Sequence, residues 1–342
     1  MKAALLLAML ASPAFGQQSA PARYEVPPTV SKEAAAVLGP AYAVNAEQQK
    51  SDWVPKTREE WTALAEALAK GMEPASVQHA QAFGMKVTEA KLGGVPVVRV
   101  TPQKYTPSKR VLLYLHGGGY TLFSAKGTLG VPSLMAKASG LEIVSVDYTL
   151  APRGDWRRIT GEVVSVYKAL LDEGHPAGAI GVFGDSAGGG LAAGAVLRMR
   201  DENLALPGAV YLLSPWSDIT ATGDTYATLG QSDPVLDLRI LASAAKAYAA
   251  PEDQKNPYVS PVYGDYSKPF PPTLVQAGTH EMFVSNAVRQ YQAILGGGGE
   301  AVLDLYEGMP HVFPAMAPTA PETLTAISRA AAFFLRRLEN PQ

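Results

Sequence analysis

From residue 85 onward, short apolar runs alternate with helical patterns, and this alternation constrains the fold more tightly than any other feature of the chain. The runs have the length and the β-branched content of strands. They lie at 86–92, 96–100, 111–115, 141–146, 179–183, 209–213, 273–277 and 301–305. The first two flank Gly93-Gly94 and predict an antiparallel hairpin, whereas helical patterns separate most of the others. The alternation therefore predicts an α/β fold with a mostly parallel, eight-stranded sheet and helices on both faces.

One long segment, 215–268, interrupts the alternation. It contains a single helical pattern, near 237–249. A segment of about fifty residues is too long for a simple connection between strands, so we expect a lid or cap. Earlier in the chain, Thr57 and Glu60 have the spacing of a capping box, which predicts that a helix begins there.

The N-terminus has the layout of a signal peptide. Lys2 precedes an apolar run over 3–11, a Ser-Pro breaker follows, and residues 14–16 read Ala-Phe-Gly, a small-x-small cleavage pattern. A buried core helix is the alternative, but Pro13 opposes it, and the run is too short to span a membrane. We therefore expect residues 1–16 to be a signal peptide and the protein to be exported, either to the periplasm or to the medium.

Composition excludes several classes of function. The 342 residues include no cysteine, so disulfides, zinc–thiolate sites, iron–sulfur clusters and thiol nucleophiles are excluded. The formal net charge of −2 supplies no basic surface for nucleic acid. No apolar stretch after the signal segment is long enough for membrane insertion.

The pentapeptide at 184–188, Gly-Asp-Ser-Ala-Gly, has the form G-x-S-x-G between a predicted strand and a predicted helix. This is the context of a nucleophile elbow, in which a sharp turn projects the serine above the sheet. A side chain at Gly184 or Gly188 would collide with the neighbouring strand or helix. An ordinary strand-to-helix turn and a phosphate-binding loop are the alternatives, but the Gly-Lys-Ser/Thr of a phosphate-binding loop is missing. We therefore expect Ser186 to be a nucleophile.

A second glycine motif, His116 followed by three glycines, closes the third predicted strand. Such glycines let the backbone approach a bound carbonyl and donate N–H groups to it, as in the oxyanion hole of lipases and esterases. The N–H of Ala187 would complete that hole. His116 itself is expected to be structural, ordering the glycine loop.

A nucleophilic serine needs a base and an acid, in the chain order Ser, acid, His. Of the five histidines, only His280 and His311 follow Ser186. His311 follows the eighth predicted strand and is the expected base, while His280 is expected to be a neighbour of the site. Glu281 follows the seventh strand and is the expected acid.

Two other carboxylates compete with Glu281 for the acid role. Glu307 is close to His311 in sequence and could reach it locally. Asp304 lies inside the eighth predicted strand and should point away from the loop that carries the base.

These motifs together resemble those of the hormone-sensitive-lipase-like family of α/β-hydrolases, the bacterial carboxylesterases. The matching segments are 115–120 (Leu-His-Gly-Gly-Gly-Tyr), 146–152 (Val-Asp-Tyr-Thr-Leu-Ala-Pro), 184–189 (Gly-Asp-Ser-Ala-Gly-Gly) and 310–313 (Pro-His-Val-Phe). The resemblance implies the α/β-hydrolase fold, a helical cap, and Gly118, Gly119 and Ala187 as the oxyanion donors.

The resemblance also divides the chain. After the signal peptide at 1–16, residues 17–84 would form an N-terminal segment with cap helices. Residues 85–342 would form the catalytic domain, with a cap excursion at about 215–268.

The chain departs from the family pattern in two places. The family usually continues Ala-Pro-Glu-His-Pro, whereas residues 151–155 read Ala-Pro-Arg-Gly-Asp, so the usual packing of this loop is in doubt. Most members with a glutamate as the acid carry an aspartate four residues later, where this chain has Ser285.

The sequence thus predicts an exported serine carboxylesterase that needs no metal or organic cofactor. Its partner is a small-molecule ester, for which the family implies short acyl chains. A lactonase or an amide hydrolase would use the same residues, and a non-catalytic binding module is a further alternative, although such modules usually lose the serine or the histidine. The natural substrate and the formation of a homodimer are left open.

Overall fold

Eight strands form one sheet in the structure, a computed structural model that describes residues 25–48 and 52–339. The strands are β1 (Met85–Leu92), β2 (Val95–Pro102), β3 (Val111–Leu115), β4 (Glu142–Val146), β5 (Ile180–Asp185), β6 (Ala209–Leu213), β7 (Thr273–Gly278) and β8 (Ala301–Tyr306). All eight predicted strands are confirmed, with ends that differ by two residues or fewer. The predicted signal peptide, 1–16, lies outside the described residues.

The sheet order is β1-β2-β4-β3-β5-β6-β7-β8. β1 and β2 form the predicted hairpin, and the two glycines of its turn both have positive φ, which glycine adopts without a steric penalty. β2 also pairs antiparallel with β4, and every other pair is parallel. The carboxyl ends of β3 to β8 therefore meet at one edge of the sheet.

Helices cover both faces, as predicted. They are α1 (Lys32–Gln48), α2 (Arg58–Ala82), α3 (Gly130–Ser139), α4 (Trp156–Asp172), α5 (Ala187–Asp201), α6 (Asp224–Leu229), α7 (Leu238–Tyr248), α8 (Val284–Gly296), α9 (Phe313–Met316) and α10 (Pro321–Arg337). α3 and α10 pack on one face, with α1 and α9 against them, while α4, α5 and α8 pack on the other. No helix in the described ranges is both long enough and apolar enough to cross a membrane.

α5 is buried along most of its length. Its small residues allow segment 215–268 to approach the helix closely. A Cβ at Gly190 would lie 2.3 Å from the carbonyl oxygen of Trp216, and one at Gly194 would lie 2.4 Å from that of Tyr258. The helix that follows Ser186 is thus held rigidly against its neighbours on several sides.

Segment 215–268 carries α6, α7 and two short 3₁₀ turns. The helix predicted near 237–249 is α7, and Asp237 caps it by accepting a hydrogen bond from the Arg239 N–H at 2.8 Å. Two contacts fix α7 in place. Its Tyr248 ring stacks on that of Tyr120 at 3.7 Å, and its Ser243 hydroxyl donates to the Pro55 carbonyl, which lies just before α2.

The predicted capping box begins α2. The Thr57 hydroxyl accepts from the Glu60 N–H at 3.2 Å, and the Glu60 carboxylate accepts from the Thr57 N–H at 2.9 Å. Both bonds satisfy backbone N–H groups that the start of a helix would otherwise leave without an acceptor.

Candidate active site

Ser186 lies on the sharp turn between β5 and α5. Its backbone has φ 55° and ψ −124°, a conformation that a non-glycine residue rarely adopts. The turn is held from both sides, since the Ser186 N–H donates to Leu213 and the Ser186 carbonyl accepts from the Trp216 N–H at 2.8 Å. A Cβ at Gly188 would lie 2.0 Å from the Leu115 carbonyl oxygen, so the glycine is required by close packing, as the sequence predicted.

A chain of hydrogen bonds joins Ser186, His311 and Glu281. The Ser186 hydroxyl lies 2.9 Å from His311 Nε2, and His311 Nδ1 lies 2.5 Å from Glu281 Oε2. Because a carboxylate only accepts, Nδ1 carries the imidazole proton and Nε2 is free to accept from the serine. All three side chains are buried, with 8% or less of their surface exposed.

Glu281 is held by two further donors. Its Oε1 accepts from the Gly278 N–H at 2.9 Å and from the Ser214 hydroxyl at 2.7 Å. Ser214 in turn accepts from the Val312 N–H at 3.1 Å, so this one hydroxyl contacts the turns of both the acid and the base. Sequence reasoning missed Ser214, although its position directly after β6 places it at the same edge of the sheet.

The electrostatics of the site favour a charged imidazole. Burial lowers the pKa of His311, but the charge and hydrogen bond of Glu281, together with the nearby Asp233 and Asp185, outweigh burial, and the pKa lies above the usual 6.5. This arrangement stabilises the imidazolium that forms when histidine takes a proton.

Asp185 is a second buried acid beside the nucleophile. It accepts a hydrogen bond from the Tyr114 hydroxyl. Burial raises the pKa of the Asp185 carboxyl to about 6, although the Tyr114 hydrogen bond and the charge of His311 oppose the shift. Tyr114 projects from β3, and its contact with Asp185 depends on the pairing of β3 with β5, which the sequence did not identify.

The glycine loop after β3 passes beside Ser186. Gly118 and Gly119 have φ values of 106° and 62°, and both line the cavity that Ser186 lines. Ala187 is the first residue of α5, so its N–H lies among the helix N-terminal groups that have no intrahelical acceptor. The three predicted donors thus lie on the two backbone segments that flank the serine.

His116 orders the glycine loop, as expected. Its Nδ1–H donates to the Gly117 carbonyl at 2.7 Å, and its ring stacks on Tyr148 at 4.2 Å. The Tyr148 hydroxyl also donates to the His116 carbonyl at 2.7 Å. Burial lowers the pKa of His116, which keeps the ring neutral.

The other candidate residues do not join the chain of hydrogen bonds. Asp304 accepts from Gln276, Tyr306 and Arg329 instead, and Glu307 accepts from the Thr29 hydroxyl. The His280 ring contacts Tyr42 edge-on at 6.2 Å. Ser285 donates to Asp224 at 2.6 Å, so it joins α6 to α8 at the position where the family usually has an aspartate.

An apolar cavity of 510 Å³ opens above Ser186. The glycine loop and the base line one side, and α7 contributes Ile240, Leu241 and Ala244 to the other. The cavity is within the size range of small-molecule sites. In the described ranges no group of three or more histidine and acidic side chains could hold a metal ion.

Comparisons with known proteins identify the same fold. A family model for the α/β hydrolase fold matches residues 112–315. An acetyl-hydrolase from Streptomyces hygroscopicus is 34% identical over 225 residues, which span 66% of this chain and 75% of the relative.

Two crystal structures are similar over most of the chain. An esterase is 29% identical with a TM-score of 0.84, covering 94% of this chain and 99% of the other. A hormone-sensitive lipase from a metagenome library is 28% identical with a TM-score of 0.80, covering 91% of this chain and 100% of the other.

The fold and these similarities define an α/β-hydrolase. The chain belongs to the hormone-sensitive-lipase-like group of that family, which makes it a serine hydrolase of carboxylic esters.

Proposed function

We propose that the protein is an exported carboxylesterase that hydrolyses short-chain esters through an acyl-enzyme on Ser186. The observation that carries this proposal is the hydrogen-bonded chain from Ser186 through His311 to Glu281 at the base of an apolar cavity. No other buried serine in the described ranges has a histidine and a carboxylate aligned in this way.

The reaction begins when His311 Nε2 takes the proton of the Ser186 hydroxyl and the oxygen attacks the ester carbonyl. The N–H groups of Gly118, Gly119 and Ala187 stabilise the oxyanion, each by about 3 kcal/mol. Glu281 holds the imidazole in the correct tautomer and stabilises its positive charge.

His311 then gives the proton to the leaving alcohol, and the acyl group stays on Ser186 as an ester. Water enters, loses a proton to His311 and attacks the acyl-enzyme carbonyl. The carboxylic acid leaves, and the proton returns to Ser186. Atoms and charges balance with water as the only second substrate.

Two observations support short acyl chains. α7 lines the cavity above Ser186, and its Ala244 side chain lies 3.4 Å from the position that a Cβ at Gly119 would occupy, which leaves little room between α7 and the glycine loop. The relative from Streptomyces hygroscopicus is an acetyl-hydrolase. Hydrolysis of long-chain triglyceride emulsions faster than of soluble acetates would contradict this part of the proposal.

The N-terminal pattern over 1–16 supports export. Expression of the full chain, followed by N-terminal sequencing of the exported protein, tests it. Mature protein that begins at Gln17 is expected, and protein found only in the cytoplasm with Met1 or Lys2 first would contradict export.

Substitution of Ser186 by alanine tests the nucleophile. We expect Ser186→Ala to lower the turnover of p-nitrophenyl acetate by about four orders of magnitude or more, because triad members act as a unit. A fluorophosphonate probe should label the wild type covalently and leave the variant unlabelled.

Ser217 offers a matched control, since it is also a buried serine but is not joined to His311. Ser217→Ala should keep both the turnover and the labelling. Labelling of Ser186→Ala at the wild-type rate would show that the nucleophile lies elsewhere. If lactone or anilide substrates were cleaved faster than all esters, the protein would be a lactonase or an amide hydrolase and not an esterase.

A further inference from the structure

A second apolar cavity, of 580 Å³, adjoins the one above Ser186. It lies between the second half of α2, the start of α3 and the segment around α9. Ala75, Phe83, Leu134 and Pro318 are among the residues that line it. We name this second cavity the side groove, and the sequence analysis did not identify it.

The side groove adjoins the cavity above Ser186. Five residues line both: Met72, Gly127, Gly130, Ala315 and Met316. Two of these are glycines, and Gly130 is exposed, so that a Cβ there would meet nothing within 4 Å. The two cavities therefore meet along this shared lining.

One buried hydroxyl lines the side groove without a partner. Ser133 is 3% exposed, and within the described part of the chain no atom hydrogen-bonds to its Oγ. A buried hydroxyl without a partner costs free energy unless a ligand or water satisfies it. The groove is therefore suited to an apolar chain, and the Ser133 hydroxyl offers that chain a polar contact at the wall.

The position of His311 indicates which portion of the ester faces the groove. His311 Nε2 protonates the leaving alcohol, so the alcohol portion of an ester lies on the histidine side of Ser186. The chain that follows His311 forms α9, and its Ala315 and Met316 line both cavities. The acyl portion of the ester lies on the other side of the carbonyl carbon.

We infer that the side groove binds the alcohol portion of the substrate, and that the enzyme prefers esters of a short acid with a long apolar alcohol. This inference rests on the proposed esterase function. Gly130 lies on the lining that the two cavities share, so a large side chain there would reduce the space where they meet.

Two isomeric esters test the inference. Octyl acetate and methyl nonanoate have the same atoms, but the long chain is the alcohol in the first and the acid in the second. In the wild type, we expect kcat/KM for octyl acetate to exceed that for methyl nonanoate by about tenfold or more, because burial of a few methylene groups contributes that much. Gly130→Phe should bring the ratio close to one.

Gly296→Phe is the matched control. Gly296 is an exposed helical glycine with nothing within 4 Å of its Cβ position, and it lines neither cavity. This variant should keep the wild-type ratio. A wild-type ratio near or below one, or a ratio that Gly130→Phe does not lower, would overturn the inference.

A binding measurement separates this inference from the proposed function. In the Ser186→Ala protein, calorimetry should show that 1-octanol binds about tenfold more weakly when Gly130→Phe is added. If the wild type hydrolysed no ester but Gly130→Phe still weakened 1-octanol binding, the esterase function would be contradicted and the groove assignment would stand. Equal 1-octanol binding with and without Gly130→Phe would overturn the groove assignment alone.

Discussion

Glu281 accepts hydrogen bonds from three donors: the N–H of the last residue of β7, the hydroxyl of the residue after β6, and the base His311. Glu281→Gln replaces one carboxylate oxygen by an amide that donates, so His311 can no longer keep its proton on Nδ1. We expect kcat for p-nitrophenyl acetate to fall by about four orders of magnitude, as for the equivalent change in serine proteases. Glu281→Asp should keep partial activity, because the charge remains while the reach is shorter.

Glu307 supplies the control for this prediction. It is exposed and hydrogen-bonds to Thr29, so Glu307→Gln should change kcat little. If Glu307→Gln were as damaging as Ser186→Ala while Glu281→Gln stayed active, the acid would have to be reassigned to Glu307.

The pH dependence of the reaction follows from the protonation of His311. Only the neutral imidazole can take the serine proton, so kcat/KM should fall as the pH decreases through the pKa of His311. Because Glu281 and its neighbours raise that pKa above 6.5, the acid limb should have its midpoint above pH 6.5. A kcat/KM profile measured between pH 5 and 9, a range chosen to bracket histidine titration, checks this. A midpoint below 6.5 would contradict it.

At the scale of elements, the turn that carries Glu281 is held by the segment that precedes α7. Asp233 is fully buried, and its Oδ1 accepts from the N–H groups of Val235 and Leu236 at 2.8 Å. Its Oδ2 accepts from the Met282 N–H at 2.7 Å. Val235 and Leu236 line the cavity above Ser186, so this one carboxylate joins the cavity wall to the residue after Glu281.

We expect Asp233 to be a positioning residue. Asp233→Asn would keep the acceptor for Val235 and Leu236, but its amide cannot accept from Met282. We predict a fall in kcat of about ten- to a hundredfold, because small displacements of reacting groups have effects of that size. The acid limb of kcat/KM should also move to lower pH, because the charge of Asp233 raises the pKa of His311.

Asp265→Asn is the control, since Asp265 lies in the same long segment but hydrogen-bonds only to nearby surface groups. It should leave both kcat and the pH profile unchanged. An unshifted acid limb in Asp233→Asn, together with a lower melting temperature, would reduce Asp233 to a structural role.

The elements were predictable from sequence because strand–helix alternation and turn residues are local signals. The same holds for Ser186 and the glycine loop, whose motifs are short and contiguous. The partners that hold the site were not predictable in this way. Ser214 and Asp233 reach Glu281 or its neighbour across 67 and 49 residues of chain, and no local pattern encodes such contacts. Asp155 departs from the family pattern, and it caps α4 by accepting hydrogen bonds from the N–H groups of Arg157 and Arg158.

At the scale of the whole molecule, the N-terminal segment is part of the folded core. In α1, Ala34, Leu38 and Tyr42 are fully buried. Ser31, just before the helix, donates its N–H and its hydroxyl to Glu322 of α10, each at 2.8 Å. α1 therefore packs on the face of the sheet opposite α5.

The buried face of α1 should contribute measurably to stability. We expect Leu38→Ala to lower the free energy of unfolding by about 2–4 kcal/mol, the usual cost of a large-to-small change in a core. Val37, one position earlier, is 40% exposed, so Val37→Ala should change stability by about 0.5 kcal/mol or less. Denaturant unfolding followed by circular dichroism measures both, and equal effects of the two substitutions would show that α1 does not pack on α10 in solution.

The embedding of α5 also limits how this enzyme can be made more heat-resistant. Replacing helical glycines by alanine is a standard route to stabilisation, since it restricts the unfolded chain and favours the helix. In α5 this substitution does not fit, because the added methyl group at Gly190 or Gly194 would overlap a backbone carbonyl oxygen of another segment. A ranking of positions by helix propensity alone would therefore select first the glycines that the enzyme can least replace. Gains in heat resistance have to come from exposed positions such as Gly71, where a Cβ would meet nothing within 4 Å.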